Sequence, residues 1–320
     1  MMLTWSLLAA AYAADLAFGD PHWLPHPVRL MGVGIHAGEW LLRRLLPWER
    51  VAGAVLVVVI VGAGYGLSAW VAHAAARLSP VLGVAATTVL LYTCLSTRAL
   101  AVEARAVWQA LMAPDLPRAR TQVARIVGRD TQLLDEPEVV RATVETIAES
   151  TLDGILSPLC YAVVGGVPLA VAYKAVNTLD SMIGHRSARY RRFGWAAATV
   201  DTWANWLPAR LAPAIVAVAA RWRGVDGVAA WRCAWRDGAG PRHPVPNAGM
   251  PEAAFAGALG VQLGGINRYQ GQPVPMPLMG APRRPLTPAR IPEAIRLMYA
   301  SSWTAFGLAM AALAIRGGGW

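Results

Sequence analysis

Long apolar runs without charged side chains alternate with polar segments along the chain. Four runs lack Asp, Glu, Lys and Arg altogether: Val51–Ala76, Leu78–Thr97, Gly154–Tyr173 and Leu297–Ile315. A helix of about 20 apolar residues spans a bilayer, because the hydrocarbon core is roughly 30 Å thick. The pattern therefore predicts membrane helices, and buried helices of a soluble all-α protein are the alternative.

Two further apolar stretches extend this picture. The segment Met1–Ala14 lacks a basic region before its apolar part, which favours a retained first helix over a removed signal peptide. Another apolar helix is expected near 204–220, with Arg210 inside it. We predict an all-α integral membrane protein with about 4–6 membrane helices. Residues 1–320 are expected to form a single polytopic membrane domain.

The polar segments lie at about 19–50, 114–153, 174–203 and 221–296. They carry most of the polar motifs, so we expect them on one side of the membrane. If every apolar run crossed the bilayer, however, 174–203 would lie opposite its two neighbours. Segments 154–173 and 204–220 are therefore expected to be re-entrant or buried against protein, where irregular backbone is tolerated.

Composition agrees with a membrane protein. The chain is 56% hydrophobic and 15% charged, whereas soluble domains carry about 25% charged residues. The net charge of +10 comes mainly from arginines between apolar runs, which favours a multi-pass protein of the cell inner membrane with its active side in the cytoplasm. Nucleic-acid binding is not expected. Cys94, Cys160 and Cys233 lie too far apart to indicate a zinc site or a disulfide framework.

The segment from Ile126 to Asp153 carries two polar features. Gly128-Arg129-Asp130-Thr131 is a predicted turn, and Pro137 begins a predicted helix with Asp135 or Glu136 near its cap. Along that helix four residues follow at four-residue spacing and share one face: Arg141, Glu145, Glu149 and Asp153. Three acids in a row indicate a cation such as Mg²⁺, and a solvated stripe is the alternative.

A second polar patch follows an apolar run. Lys174, the chain's only lysine, is followed at helical spacing by Asn177, Asp180 and Ser181. Oxygens of Asn177 and Asp180 suit a metal or a phosphate-bound water, and Lys174 and Arg186 suit phosphate. Anchoring at the membrane interface is the alternative.

Three weaker features complete the set. Asp201 and Asn205 stand four residues apart beside an apolar helix, and Asp201 either binds something or pairs with Arg210. Asn247 and Glu252 lie at the entrance of a predicted helix of small residues that starts near Pro251, where an anion or a cap belongs. His22 and His26 form a pair without a third ligand, which is weak support for a metal site.

Several of these segments together resemble the CobD/CbiB family of cobalamin biosynthesis, the adenosylcobinamide-phosphate synthases. The resemblance covers nearly the whole chain and keeps the family's order of motifs. It rests on GDPHWLPHPVRLMG, IVGRDTQLLDEPEVVRATVETIAESTLDGILSPL, AYKAVNTLDSMIGHRSARYRRFG, NWLPARL and PNAGMPEAAFAGALGVQLGGINRYQG. The NTLDSMIG and VGRDT elements are the specific ones, because apolar helices alone would not identify a family.

The resemblance implies an acid–amine ligase. A propionate carboxylate of adenosylcobyric acid would be joined to (R)-1-amino-2-propanol or its O-phosphate, with ATP and Mg²⁺, and the corrinoid would be a substrate and not a prosthetic group. Expected catalytic residues are Glu145, Glu149, Asp153 and Asp180, of which Glu145, Glu149 and Asp180 are also expected metal ligands. Expected to bind substrate or nucleotide are Arg129, Asp130, Thr131, Lys174, Asn177, Ser181, Arg186, Asp201, Asn205, Asn247 and Glu252.

The chain departs from the family pattern at one place. Two adjacent acids usually precede the NxxPAR element, but here the pair is Asp201-Thr202, and Thr199 replaces an expected basic residue. The alternatives are an AmpE-like membrane signalling protein and a corrinoid transporter, although the first would have lost the acids that this chain retains. Expected partners are the lipid bilayer and, beyond the substrates, a second copy of the chain or other enzymes of corrinoid synthesis.

Overall fold

The structure is a computed structural model that describes residues 3–21, 26–185, 187–239 and 246–317. It is all-α, as predicted, apart from one β-hairpin. Its elements are α1 Trp5–Phe18, α2 Pro27–Leu45, α3 Glu49–Leu78, α4 Pro80–Tyr92, α5 Thr97–Met112, α6 Leu116–Val123, α7 Glu136–Thr151, α8 Ser157–Ile183, α9 Trp195–Ala204, α10 Trp206–Trp222, α11 Gly227–Cys233, α12 Pro246–Leu259, β1 Gln262–Tyr269, β2 Gln272–Gly280 and α13 Arg290–Ile315. Short π-helical turns follow α7 and α11, at Leu152–Leu156 and Ala234–Gly238.

Four helical stretches are long and apolar enough to cross a membrane, which confirms the predicted class of integral membrane protein. They are Glu49–Leu78, Pro80–Met112, Glu136–Ile183 and Arg290–Ile315. Helix α3 shows the expected surface, because Val58 is 72% exposed and Leu67 is 63% exposed. Apolar side chains so exposed along a helix of 30 residues fit a lipid environment.

The chain forms two compact units. Unit 1 comprises Met1–Ser96, Ser157–Leu207 and Phe306–Trp320, and unit 2 comprises Thr97–Leu156 and Pro208–Ala305. Within unit 1, a core of apolar side chains joins α2, α3, α8 and α9. Its buried members are Ile35, Ala52, Leu56, Val57, Leu179, Ile183, Phe193, Ala196 and Ala197.

Helix α8 is interrupted within segment 154–173, which the sequence predicted to be re-entrant or buried. Gly165 and Gly166 have non-helical backbone angles, and Gly166 has a φ of +73°, which a residue without Cβ adopts easily. Pro168 follows directly after this break. The apolar run Leu78–Thr97 is also interrupted, because the N–H groups of Cys94 and Leu95 donate to the carbonyls of Leu91 and Tyr92, three residues earlier, between α4 and α5.

A buried acid ties the segment after α8 to α2 in unit 1. Glu39 is 3% exposed. Its Oε1 accepts hydrogen bonds from Arg43 Nε at 3.0 Å and from Arg189 Nη2 at 3.0 Å. Arg43 also donates to Glu49 Oε1 at 2.7 Å, at the start of α3. The free-energy cost of burying the Glu39 carboxylate is offset by these paired charges.

Unit 2 contains the one element class that the sequence did not predict. Strands β1 and β2 are antiparallel and are joined by the two-residue loop Gln270–Gly271. Both loop residues have positive φ, 52° and 78°, as in a type I′ turn, whose backbone twist matches that of the flanking strands. Prolines at 273, 275 and 277 in β2 cannot donate ladder hydrogen bonds and suit an edge strand.

The close approach of Phe193 to α3 yields a stability test. A Cβ on Gly53 would lie 1.8 Å from the carbonyl oxygen of Phe193, whereas one on Gly62 of the same helix would meet nothing within 4 Å. We expect Gly53→Ala to destabilise the protein by about 1–3 kcal/mol through overpacking. Thermal unfolding of purified protein in mild detergent measures this.

Gly62→Ala is the matched control, because it makes the same substitution in the same helix. It should leave the unfolding temperature unchanged or raise it slightly, since alanine favours helix over glycine. Equal effects of the two substitutions would contradict the packing of α3 against Phe193.

Candidate active site

Helix α7 begins as the sequence predicted. Asp135 is the N-cap and accepts the backbone N–H of Glu138, whose side chain in turn accepts the N–H of Asp135. Pro137 lies in the first turn, where its missing N–H matters least. The reciprocal capping box therefore fixes the start of the helix that carries Glu145.

The charged face of α7 is buried. Arg141 is 7% exposed and Glu145 is 9% exposed, and most residues from Val139 to Ala148 are buried with them. A solvated stripe, the alternative considered above, is therefore wrong for these two residues. Glu149 is exposed, and Asp153 lies half-buried in the π-helical turn after α7.

Arg141 and Glu145 hold a bulge in strand β1. Arg141 Nη1 donates to the carbonyl of Gly264, and its Nη2 donates to the carbonyl of Ile266 at 3.0 Å. Glu145 Oε1 accepts the N–H of Gly264 at 2.8 Å. Gly264 has a φ of +83° and its Cβ position is 1.9 Å from Pro277 O, so only glycine fits there. These contacts fix the position of helix α7 relative to strand β1.

Arg129, from the VGRDT turn, completes this network. Its Nη2 donates to Glu145 Oε2 at 2.6 Å, and its Nη1 donates to Asn267 Oδ1 in β1. The side chain is 6% exposed. Its Nε is buried and has no hydrogen-bond partner among the described residues.

The two residues after Arg129 stabilise the hairpin. Asp130 accepts the backbone N–H groups of Gln270 at 3.3 Å and Gly271 at 2.7 Å, while its own N–H donates to Arg268 O at 2.8 Å. Thr131 is 3% exposed. Asp130 was predicted to bind substrate or nucleotide, but its carboxylate is engaged with the hairpin loop.

A cavity of about 150 Å³ opens beside this network in unit 2. It brings together four predicted site residues, Arg129, Glu145, Glu149 and Glu252. Residues that the sequence did not single out also line it. The complete lining is Ile126, Val127, Gly128, Arg129, Glu145, Thr146, Glu149, Ala248, Glu252, Gly264, Asn267, Tyr269, Met276 and Met279.

The pKa of Glu252 is strongly shifted by its surroundings. It is 7% exposed on α12. Burial raises the pKa of Glu252 well above its usual range, and the negative charges of Glu145 and Glu149 raise it further, against the lowering effect of Arg129 and Arg141. Such a shift is typical of groups that exchange protons in active sites.

Asn247 lies at the start of the same helix α12, which begins five residues earlier than predicted. It is 6% exposed, and its Oδ1 accepts a hydrogen bond from Arg210 Nη1 at 3.2 Å. Its neighbour Ala248 lines the cavity. Arg210 of the NWLPARL motif therefore helps to fix the entrance of α12.

In unit 1, the predicted spacing of the second patch is confirmed. Lys174, Asn177, Asp180 and Ser181 all lie on the last turns of α8. Ser181 Oγ donates to Asn177 O at 2.8 Å, and a Cβ on Gly184 would lie 1.9 Å from Asp180 Oδ1. Glycine at 184 thus leaves room for the carboxylate. Arg186 lies outside the described residues.

Asn205 forms its hydrogen bonds inside unit 1. It is 1% exposed. Its Oδ1 accepts from Ser157 Oγ at 2.7 Å and from Tyr173 OH at 2.9 Å, and its Nδ2 donates to both carboxylate oxygens of Asp201, at 3.1 and 3.2 Å. Both lone pairs of its Oδ1 are occupied. The geometry gives Asn205 a structural role inside unit 1, and the substrate contact predicted from the sequence stays a prediction.

The histidine pair of the N-terminal motif is only partly described. His26 caps α2 by accepting the N–H of Val28 at 3.3 Å, and its Nε2 lies 3.4 Å from Asp20 Oδ1. His22 lies outside the described residues. His26 therefore has a structural task at the start of α2.

Mg²⁺ requires oxygen donors that converge on one point in a near-octahedral arrangement. Among residues 3–21, 26–185, 187–239 and 246–317, no three His, Cys, Asp or Glu side chains converge on one point. Glu145 was predicted as a metal ligand, but it already accepts Arg129 and a backbone N–H, so its geometry disfavours that role. Asp180 fits the ion better, because Mg²⁺ commonly takes one or two carboxylates together with phosphate oxygens and water.

The family model and the individual relatives that match the chain agree on one family. The family described as CobD/Cbib protein matches residues 8–298. A Geobacter metallireducens protein named cobalamin biosynthesis protein CobD is 48% identical over 294 residues, which cover 92% of each chain. A Salmonella typhimurium protein named cobalamin biosynthesis protein CbiB is 41% identical over 314 residues, 97% of each chain.

A third relative, from Pelobacter propionicus and also named CobD, is 41% identical over 310 residues, 97% of this chain and 94% of its own. No solved structure matches the chain. The matched residues contain the VGRDT turn, helix α7, the NTLDSMIG patch and the hairpin. The chain therefore belongs to the CobD/CbiB family.

Proposed function

We propose that this protein acts in cobalamin biosynthesis as an ATP-dependent amide ligase. A propionate carboxylate of adenosylcobyric acid attacks the γ-phosphorus of ATP, ADP leaves, and an acyl phosphate forms. The amine of (R)-1-amino-2-propanol or its O-phosphate then attacks the acyl carbon. Phosphate leaves, the nitrogen gives up a proton, and the new C–N bond yields adenosylcobinamide or its phosphate.

The observation that carries this proposal is the buried polar cavity of unit 2. An amine must lose a proton before it can attack, so a ligase of this class needs a base near the amine. Glu252 lines this cavity, and burial raises the pKa of its carboxyl group from the ordinary Glu range toward the operating pH, where a side chain can both accept and return a proton. Names of the relatives point to the same pathway.

The patch on α8 is proposed to receive the nucleotide. Lys174 supplies a compact positive charge for phosphoryl oxygens. Asp180 and Asn177 supply oxygen donors for Mg²⁺, which would neutralise charge on the transferred phosphoryl group. The chain has no GxxxxGK[ST] phosphate loop, so a nucleotide site built from helix side chains is consistent with the sequence.

We place the protein in the cell inner membrane, with its active side in the cytoplasm. Four apolar helical stretches support the membrane location. The arginines of the polar segments support the orientation, because positively charged residues are retained on the cytoplasmic side. ATP is also a cytoplasmic substrate.

A turnover assay in mild detergent tests the proposed function. The reaction contains adenosylcobyric acid, an acceptor amine, ATP and Mg²⁺, and chromatography separates the corrinoids. We expect an amidated corrinoid that requires both ATP and Mg²⁺, with one ADP released per amide formed. Parallel reactions with aminopropanol and its O-phosphate identify the acceptor. Folded protein that binds corrinoid but gives no amide would instead favour an AmpE-like signalling role.

Glu252→Gln tests the proton acceptor. We expect turnover to fall at least about 100-fold, because general base catalysis contributes roughly that factor or more. Glu136→Gln is the matched control, since Glu136 is an exposed acid in the first turn of α7. Full turnover by the Glu252 variant would remove the proposed base.

Glu252→Gln also tests how the stability of the protein depends on pH. Glu252 faces Glu145, Glu149, Arg129 and Arg141, and its pKa is raised in the folded protein. Below about pH 4.3, the usual pKa of Glu, both folded and unfolded wild-type protein hold the proton. Above it the unfolded chain releases the proton while the folded one keeps it, so wild-type stability falls as pH rises.

The amide that Glu252→Gln introduces has no proton to release in this pH range. We therefore expect the unfolding temperature of Glu252→Gln to exceed that of wild type increasingly from about pH 5 up to the raised pKa of Glu252, by up to about 1.4 kcal/mol per pH unit in stability. The two proteins should converge near pH 4. A difference that does not change with pH would show that Glu252 keeps an ordinary pKa.

Asp180→Asn tests the nucleotide patch. We expect turnover to fall at least about 100-fold, with a higher Mg²⁺ requirement, because an amide is a weaker ligand than a carboxylate. Gly184→Ala should have a smaller effect of the same kind, since its Cβ displaces the Asp180 carboxylate. Unchanged Mg²⁺ dependence in both variants would exclude Asp180 from metal binding.

A further inference from the structure

We infer that unit 1 has a selective binding site for one anionic phospholipid beside the first turns of α3. An acyl chain of the lipid lies in an apolar groove along this helix, and the phosphate group lies beside Arg50. The inference is independent of the proposed ligase reaction. It concerns one site with a preferred headgroup, which differs from the general contact of a membrane protein with its bilayer.

The groove has the size of a ligand site and an apolar wall. Its volume is about 430 Å³, and pockets for small ligands measure about 300–1,000 Å³. Apart from Arg50, its lining is entirely apolar and consists of Val51, Ala54, Val55, Val58 and Val59 of α3 and Trp195 of α9. A polar ligand would lose its hydrogen bonds to water along this wall without gaining others. The occupant is therefore a hydrocarbon chain.

The groove lies at the depth of the acyl chains of one leaflet. Helix α3 is long and apolar enough to cross a membrane, and its charge-free run begins directly after Arg50. From Val51 to Val59 a helix rises by about 12 Å, at 1.5 Å per residue. One leaflet contributes about 15 Å of the hydrocarbon core, half of its roughly 30 Å. Arg50 therefore lies at the level of the phospholipid headgroups.

Arg50 and Trp195 form the polar end of the groove. The guanidinium carbon of Arg50 lies 5.8 Å from the centroid of the Trp195 ring, within the range of a cation–π contact. Both side chains are exposed. Tryptophan and arginine are favoured at the boundary between hydrocarbon and headgroups. The ring holds the guanidinium group beside the groove, where its N–H groups can donate to a phosphate.

The charges around Arg50 favour an anionic headgroup over a zwitterionic one. The acids of this region are already paired, because Glu39 and Glu49 lie 3.0 and 2.7 Å from nitrogens of Arg43. Four exposed arginines of the two adjoining segments have no carboxylate partner within the described part of the chain: Arg44, Arg50, Arg191 and Arg192. One arginine near an anionic lipid surface strengthens binding by about fivefold.

The same charges disfavour a second copy of the chain as the occupant. A two-fold dimer brings the same surface patch of both copies together. The arginines around the groove would then face those of the other copy, and like charges across a contact weaken association. A lipid with a negative headgroup satisfies both the apolar wall and the positive end.

Lipid titration of the full-length protein in mild detergent, followed by native mass spectrometry, tests the site. The probes are dioleoylphosphatidylglycerol and dioleoylphosphatidylcholine, which share their acyl chains and differ in headgroup charge. We expect the first phosphatidylglycerol to bind at least about fivefold more tightly than phosphatidylcholine. Glycerol phosphate, which has the phosphate but no acyl chain, should not bind at the same concentrations.

Arg50→Gln tests the headgroup contact. It should reduce the preference for phosphatidylglycerol about fivefold and leave binding of phosphatidylcholine unchanged. Arg77→Gln is the matched control, because Arg77 is an exposed arginine in the last turn of the same helix. An unchanged preference in the Arg50 variant would place the anionic lipid elsewhere and overturn the inference.

Trp195→Ala tests the groove itself. It should weaken binding of both lipids at least about fivefold, because it removes the part of the apolar wall that α9 contributes. Trp203→Ala is the matched control, since Trp203 is a 75% exposed tryptophan of the same helix that does not line the groove. Without lipid, an unfolding temperature near that of wild type shows that each variant is folded.

The outcomes distinguish the occupants of the groove. Selective binding of phosphatidylglycerol that requires both Arg50 and Trp195 would support the inference. Equal affinity for the two lipids would leave only unselective contact with the bilayer and overturn it. A dimer that dissociates in Trp195→Ala, without lipid selectivity, would also overturn it and assign the groove to a second copy. Turnover enters none of these measurements, so failure of the lipid site and failure of the proposed ligase are separate results.

Discussion

The carboxylate of Glu145 is the group on which the arrangement of unit 2 depends. It is 9% exposed and joins three segments that are distant in the sequence, since it accepts Arg129 from the VGRDT turn and Gly264 from the hairpin. Removing one partner from a buried ion pair destabilises a protein by about 3–5 kcal/mol, because the other charge stays buried. Arg141 completes the arrangement by holding two carbonyls of β1. The hairpin is therefore fixed by charge pairing more than by its own two strands, which would be marginal in isolation.

This pairing also explains why Glu145 is poorly suited to bind a metal. Both oxygens of Glu145 point to donors of the protein, so the acid positions Arg129 and the β1 bulge. For Glu252, burial and the neighbouring negative charges of Glu145 and Glu149 raise the pKa. A raised pKa is typical of carboxyl groups that transfer protons in active sites.

Much of the fold and part of the candidate site could be predicted from the sequence. What was missed depends mainly on contacts between residues far apart in the chain. The start of α7, the break at Gly165–Gly166 and the membrane class follow from local rules on capping, backbone freedom and hydrophobic length. Spacing on α7 also showed that Arg141 and Glu145 share a face. It could not show what that face contacts, because Gly264 and Ile266 lie more than a hundred residues away. The hairpin was missed because alternating prolines in β2 conceal a strand, although Gln270–Gly271 was a detectable turn signal.

The acids of α7 show the same difference between what spacing along a helix predicts and what the contacts in the folded protein allow. Acids at four-residue intervals indicated a cation, but one of them, Glu145, already pairs with arginine in the folded protein. A divalent ion requires several free oxygens in a fixed geometry, whereas both oxygens of Glu145 accept from donors of the protein itself. The spacing of acids along a helix therefore shows which side chains share a face, and the contacts of that face decide which of them can still bind a ligand.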